Sequence, residues 1–346
     1  MLTPDEIARL EAFLDSTIPD SWGLRIVDHF RIHGGASRET YAIEVAFDAA
    51  AGPVQRGLIL RRDPDDSLID TDRALEFAAY RSFHGLVPAP EPIALVADPA
   101  LLGKPFFIME RIEGGSAASP FQADPYGAHR VDVARQFFTH LGAIARVDPY
   151  DTELPGVVDT PDPEQCWARE LEYWAGVVAA DALEPQPIVE AAIRRLRRNP
   201  PPPPQRLSVV HGDYRSGNFL HDGEGRIIAI LDWEMAHIGD ALEDLAWALD
   251  PLWSHGSDLA LGAIPRGEAI DIWENASGLS CDPDAMRWWS LFASVKGAAI
   301  WLSSSHAFAA GKNTDPVLAF SGWYCTLRHD DIIARRLAAA ARGALA

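Results

Sequence analysis

Cysteine is scarce: Cys166, Cys281 and Cys325 are the only three in 346 residues. Far apart and odd in number, they give neither a disulfide framework nor a metal-ligand spacing, so a reducing interior is expected. Long apolar runs are also missing. The most tempting one, "WWSLFASVKGAAIWL", is interrupted by Lys296 and Gly297 and falls short of the roughly 20 residues that span a bilayer. The opening segment "MLTPDEIARLEAFLDS" carries acids and helical spacing where a secretory signal would carry a basic region and an apolar block. A cytoplasmic protein with no membrane partner is therefore expected. Positive charge is in deficit, with 30 Lys and Arg against 50 Asp and Glu, and the resulting net charge of −20 repels nucleic-acid phosphates and anionic lipid. The one dense basic run, "RRLRR" at 194–198, reads as a solvated helix end. No internal repeat is found.

What is present is an ordinary globular composition, 48% apolar and 23% charged, which suffices for a packed core. Single cores stop growing at roughly 250–300 residues, so two lobes are expected, residues 1–112 and 113–346. In the first, "GLRIVDHFRI" and "TYAIEVAF" read as antiparallel strands around the turn "HGGASRE", and "RGLILRR" as a third strand. Residues 72–84 switch to helical spacing, with Leu75, Ala78, Ala79 and Phe83 on one face. "PIALVAD" and "KPFFIMERI" return to strand character, and "EGGS" at 113–116 breaks the chain. Beyond it "VDVARQFFTHLGAIARV" and "CWARELEYWAGVVAA" are helical patterns. The run "NPPPPPQ" lacks five consecutive amide donors and is expected to be an extended spacer.

Chemistry concentrates in "VVHGDYRSGNFLHDGEGRIIAILDWEMAHIGDALEDLAW", residues 209–247. "LSVVH" reads as a buried strand that delivers Asp213 to a loop. "NFLHDGEGRIIAILDW" reads as a hairpin turning at residues 222–225. Antiparallel pairing puts Asn218, at the start of one strand, near Asp232, at the end of the other. An amide oxygen and a carboxylate thereby come within reach of one ion. Hard oxygen donors of this kind suit magnesium completed by substrate phosphates. Asp213, five residues before Asn218, is free to take a proton from an attacking hydroxyl. The layout is that of phosphoryl transfer.

These residues resemble the aminoglycoside phosphotransferase-like, protein-kinase-like small-molecule kinases. The family's His-Gly-Asp-x4-Asn loop is met by His211, Gly212, Asp213 and Asn218, and its Ile/Leu-Asp-Trp/Phe segment by Leu231, Asp232 and Trp233. The resemblance implies an α+β, bilobal protein-kinase-like fold, with a five-stranded antiparallel sheet plus helix in the N-lobe and a mostly helical C-lobe. It implies Asp213 as catalytic base, Asn218 and Asp232 as ligands of Mg2+, and ATP or GTP as co-substrate. It places the phosphates under the turn holding Gly34, Gly35 and Ser37, and adenine against backbone groups near Glu110 and Ile112. Where the family carries a lysine on the third strand this chain has Arg61, with Glu76 on the next helix as its partner; the planar guanidinium is not interchangeable with an ammonium.

Gly212 stands where most protein kinases have the arginine of His-Arg-Asp, and no Ala-Pro-Glu-like segment follows Asp232, so a small-molecule hydroxyl is the expected acceptor. "RWWSLFASVKGAAIWLSSSHAF" and "ELEYWAGVV" are the expected sources of its pocket. Trp288, Trp289 and Trp301 read more readily as core than as pocket lining. Asp240 and Asp244 read as caps and braces of the catalytic loop, while Glu234 is open to a role at metal-bound water or substrate. The wording "LILR" with "LDWEMAHIGDALEDLAW" is similar to the branch fused to acyl-CoA dehydrogenases, associated with hydroxyacyl substrates, and the acidity also suits a cationic aminoglycoside. The alternative to an enzyme is a nucleotide-binding regulatory protein with weak or lost catalysis.

Overall fold

The N-terminal helix starts where its own side chains dictate. The computed structural model describes residues 2–32, 39–62, 73–119 and 121–341. In it Thr3 and Glu6 form a reciprocal capping box ahead of α1 (Pro4–Thr17), with proline at the first helical turn, where no amide donor is needed. Strands β1 (Trp22–Ile32), β2 (Glu39–Ala49) and β3 (Gly52–Arg62) follow. Then come α2 (Arg73–Phe83), β4 (Pro92–Val96) and β5 (Phe106–Glu110). The five strands form one antiparallel sheet in the order β1-β2-β3-β5-β4.

Alternation along β5 gives the sheet two buried faces. Phe106 and Ile108 join Leu10 and Leu14 of α1, while Phe107 and Met109 face α2 and the larger core. Helix α2 is consequently buried almost all round: the expected face of Leu75, Ala78, Ala79 and Phe83 is covered, and so are Glu76 and Tyr80. The turn carrying Gly34, Gly35 and Ser37 lies outside the described residues.

The remaining chain is mostly helical, with α3 (Arg130–Arg146), α4 (Cys166–Asp181) and α5 (Pro187–Arg198) first. The proline run 200–204 is neither helix nor strand. Four short strands, β6 (Ser208–Val210), β7 (Phe219–His221), β8 (Ile227–Ile230) and β9 (His237–Gly239), precede α6 (Leu242–Ala248), α7 (Arg266–Ser277), α8 (Pro283–Ala309) and α9 (Pro316–Ala341). β7 and β8 form the expected hairpin, closed by Asp222, whose carboxylate accepts the Glu224 and Arg226 amides at 2.8 and 3.0 Å. β9, absent from the sequence reading, pairs with β6. Among the described residues no helix is long and apolar enough to cross a membrane. The architecture is the α+β, two-lobed one expected, a five-stranded antiparallel sheet with its helix and a mostly helical second lobe.

Candidate functional site

Residues 211–218 link β6 to β7, and every turn of this loop is pinned from behind. Gly212 has φ of +84°, and a Cβ there would stand 2.2 Å from the Met235 carbonyl oxygen, so both conformation and space demand glycine. The buried Asp244 carboxylate accepts the His211 amide at 2.6 Å and the Gly212 amide at 3.0 Å. Asp240 accepts the Leu242 amide and the Trp289 indole, at 2.9 and 2.8 Å. Asp240 thus caps the start of the following helix and Asp244 braces the loop. Burial pushes each of them up to about 6.

His211 is a pin of the same kind. Its Nδ1 accepts the Asp213 amide at 3.2 Å, which leaves the proton on Nε2 to donate to the Leu231 carbonyl at 3.0 Å. Burial lowers it to about 4, so the ring is neutral at physiological pH and ties the loop to the end of β8.

Three donors converge on Asp213. Asn218 Nδ2 reaches its Oδ2 at 2.7 Å, Trp247 Nε1 its Oδ1 at 2.9 Å, and Arg215 Nε both oxygens at 3.0 and 3.2 Å. Because the amide nitrogen of Asn218 also donates to the Asp213 carbonyl at 2.9 Å, its position is fixed and Oδ1 is left as the amide's free acceptor side. The Leu231 amide donates to the Asn218 carbonyl at 2.8 Å, extending the hairpin ladder, so Asn218 and Asp232 do stand at one end of the ribbon.

Asp232 sits in the left-handed region, φ 68° and ψ 54°, an uncommon conformation for a residue with a side chain. Its amide donates to Tyr80 Oη of α2 at 3.0 Å, and Trp233 beside it is stacked on Phe83 at 4.7 Å. Arg61 reaches over from β3. One of its terminal nitrogens bonds Glu76; the other lies 3.0 Å from Asp232 and 3.6 Å from Glu234. Burial works against the Arg61 charge, yet Glu76, Asp232 and Glu234 hold it well above the ordinary arginine range. Burial opposes the Asp232 charge too, and the Arg61 guanidinium outweighs it, lowering that carboxyl. The expected Arg61–Glu76 pair is thus formed, and it extends to Asp232. Glu110 ends β5, with its amide already donating to the Glu91 carbonyl at 2.8 Å, and Ile112 follows in the connecting loop.

The sequence pattern of the phosphotransferase enzyme family matches residues 30–289. The chain belongs to that family. Among curated proteins this phosphotransferase is 28% identical over 226 residues to the probable acyl-CoA dehydrogenase IBR3 of Arabidopsis thaliana, covering 62% of this chain and 27% of that protein. It is 25% identical over 301 residues to acyl-CoA dehydrogenase family member 11 of Rattus norvegicus, covering 82% and 37%. The chain therefore spans well under half of these relatives' length. Among solved structures, a Ralstonia eutropha protein assigned as an aminoglycoside phosphotransferase superposes with a TM-score of 0.73 at 19% identity, over 95% of this chain and 97% of that one. Aminoglycoside 2'-phosphotransferase-IIIa in its GDP complex gives 0.62 at 11% identity, over 94% and 98%. An aminoglycoside phosphotransferase mutant in ternary complex with AMP-PNP and hygromycin B gives 0.56 at 18%, again over 94% and 98%. The fold is the kinase-like one these structures share.

Behind the loop of this phosphotransferase lies a buried charge cluster that the sequence reading missed. Lys296 of α8 donates to the Gly212 carbonyl at 2.6 Å and to Glu243 at 2.8 Å, and faces the rings of Trp174 and Trp247 at 5.6 and 5.9 Å. His237 Nε2 lies 3.2 Å from Glu243 and 3.8 Å from Glu170. These two glutamates and the histidine could surround a metal ion, but the Lys296 ammonium already supplies the cation. Burial works against protonation of His237, and Glu170 and Glu243 outweigh it, raising the ring to about 9. A raised folded-state value contributes stability that is complete below pH 6.5 and lost as pH rises through about 9. Urea midpoints are expected to fall over that window, by about 3 kcal/mol in stability, and His237→Gln should flatten the fall.

Trp247 and Arg215, both on Asp213, were also not singled out in advance. One available signal was Lys296 itself, a lone charge in the apolar run of a helix, which needs a buried partner. A cleft of about 630 Å³ opens beside Glu234, lined also by Tyr173 and Trp174 of α4, Met235, His237 and Lys296. Trp289 is fully buried and Trp288 nearly so, whereas Trp301 is partly exposed and donates to His329 at 3.0 Å.

Proposed function

We propose that this phosphotransferase moves the γ-phosphate of ATP or GTP to a hydroxyl of a small molecule, with Asp213 as the base and Mg2+ held by Asn218 and Asp232. The observation that carries the reading is the interlock of Asp213 with Asn218 at 2.7 Å, which commits the amide nitrogen to the base and frees the amide oxygen for a cation. The donor set fits magnesium, a neutral amide oxygen and a carboxylate whose side chain keeps 33% of its surface exposed. Bound there, the ion would offset the negative charge of the phosphates.

The chain's own residues supply the rest. Asp213, oriented by Trp247, Asn218 and Arg215, takes the proton of the acceptor hydroxyl as its oxygen bonds to the γ-phosphorus. The bond from that phosphorus to the β–γ bridging oxygen breaks, and the nucleoside diphosphate leaves. Arg61, held by Glu76 through one terminal nitrogen, turns the other, which lies 3.0 Å from Asp232, to the nucleotide phosphates. Backbone groups at Glu110 and Ile112 receive the base. The cleft beside Glu234 draws Tyr173, Trp174 and Lys296 from the two segments expected to shape the acceptor pocket, which supports a partly apolar acceptor. Hydroxyacyl compounds therefore come first in a search, before aminoglycosides and other alcohols.

A scan of hydroxylated metabolites for acceptor-dependent ADP or GDP release tests the reading. Release with one acceptor class, abolished by chelating magnesium, is expected. Free phosphate released without any acceptor would mark a hydrolase instead, and nucleotide binding with no consumption across the scan would mark a regulatory protein.

A further inference from the structure

The end of α5, the proline run, the starts of α7 and α8 and the end of α9 enclose a second cleft, of about 940 Å³. It shares no lining residue with the site above. Four arginines line it, Arg195, Arg266, Arg287 and Arg336, against a single acid, Asp284. That acid is taken by Arg287 within the same helix. Arg336 donates to the Ser290 carbonyl and Ser294 and lies 3.4 Å from Asp250.

Arg195 and Arg266 have no carboxylate partner among the described residues. Arg266 makes one bond, to the Leu249 carbonyl at 3.2 Å. Arg195 differs in this from Arg194 and Arg197 of its own run, which pair with Glu190 and Glu172. Enclosure by protein, and then the neighbouring Arg336 charge, push Arg266 below the ordinary arginine range. In a chain of net charge −20, a cleft with four guanidinium groups of which two lack a carboxylate partner among the described residues is not a general surface property.

Apart from Asn199 and Ser290 the rest of the cleft wall is mainly apolar, with Pro200, Pro201, Pro202, Ile270, Trp288 and Leu291. Its volume falls in the range of small-molecule sites, roughly 300–1,000 Å³. Guanidinium forks match phosphate oxygens two at a time, and a nonpolar wall accepts the body of an amphipathic ligand.

We propose that this cleft binds a small organic phosphate, its anionic end on Arg266 and Arg195 and its apolar body along Trp288 and the prolines. The site is separate from the nucleotide site, and its occupant is not consumed by the transfer reaction.

Calorimetric titration of the full chain with phenyl phosphate, without magnesium, tests this. The wild type and Arg61→Gln are expected to bind alike and more tightly than either binds inorganic phosphate. Arg266→Gln and Arg195→Gln should each weaken phenyl phosphate by about tenfold, the loss of one charge-assisted contact. If Arg266→Gln does not fold, Arg195→Gln, whose side chain makes no bond among the described residues, decides alone. Loss of binding in Arg61→Gln with retention in the Arg195 and Arg266 variants would place the probe in the nucleotide site and overturn the proposal. Equal binding in all four proteins, or none in the wild type, would overturn it as well.

Discussion

Asp213→Asn is expected to lower turnover by about 10²–10⁴-fold, the usual contribution of a positioned base. Nucleotide affinity measured without magnesium should not change. The change is small in shape but reverses one partnership. The Asn218 amide nitrogen points at Asp213 Oδ2 from 2.7 Å, so an amide nitrogen introduced at that position would set donor against donor. Relieving it by turning the Asn218 amide would break that nitrogen's bond to the residue 213 carbonyl and present nitrogen where a cation requires oxygen. Magnesium dependence should therefore weaken together with kcat. Trp247 and Arg215 can still donate to the remaining oxygen, so the loop is expected to stay folded. Steady-state kinetics on an identified acceptor, with a magnesium titration, would measure both effects. Wild-type turnover in the variant would remove Asp213 from the role of base.

Lys296→Met is expected to produce the largest loss of stability, about 3–5 kcal/mol, because it leaves a buried carboxylate with His237, already shared with Glu170, as its remaining cation. Lys296 and Glu243 are each only 1% exposed and stand 2.8 Å apart. Burial opposes ionisation of Glu243, and Lys296 with His237 overcomes it, holding the carboxyl at about 2. Removing the ammonium also leaves the Gly212 carbonyl without this donor, next to the base. Denaturant midpoints should therefore drop far more for Lys296→Met than for a neutral exchange on the surface. The double variant Lys296→Met with Glu243→Gln should recover part of the loss, since both charges leave together. Additive losses in the double variant would mean that the pair is not the source of the effect.

How much was legible in advance follows from the range of each interaction. The hairpin of β7 and β8 follows from short spacings and turn chemistry, while the pairing of Arg61 with Glu76 was implied by the family resemblance. Asp240 and Asp244 were readable as braces because acids at a helix start have few other uses. Lys296 was noticed only as an interruption of an apolar run. Its contact with Gly212 spans 84 positions, and no local pattern encodes which carbonyl a buried ammonium will meet. The extension of Arg61 to Asp232 crosses 171 positions and joins the two lobes. Arg195 and Arg266 likewise become neighbours of one cleft only when α5, α7 and α9 pack.

The sequence by itself determined the N-terminal strands and helix, the two-lobed α+β plan and the loop and hairpin that carry Asp213, Asn218 and Asp232, because those depend on backbone periodicity and on turns a few residues long. It did not determine β9. Only the tertiary structure decided that Asn218 spends its nitrogen on Asp213, that Arg61 reaches Asp232, and that a lysine from α8 supports the loop from behind. Such contacts are chosen by burial: a polar group withdrawn from water must find whatever partner the packed chain brings within about 3 Å, and that partner is set by folding rather than by spacing along the chain.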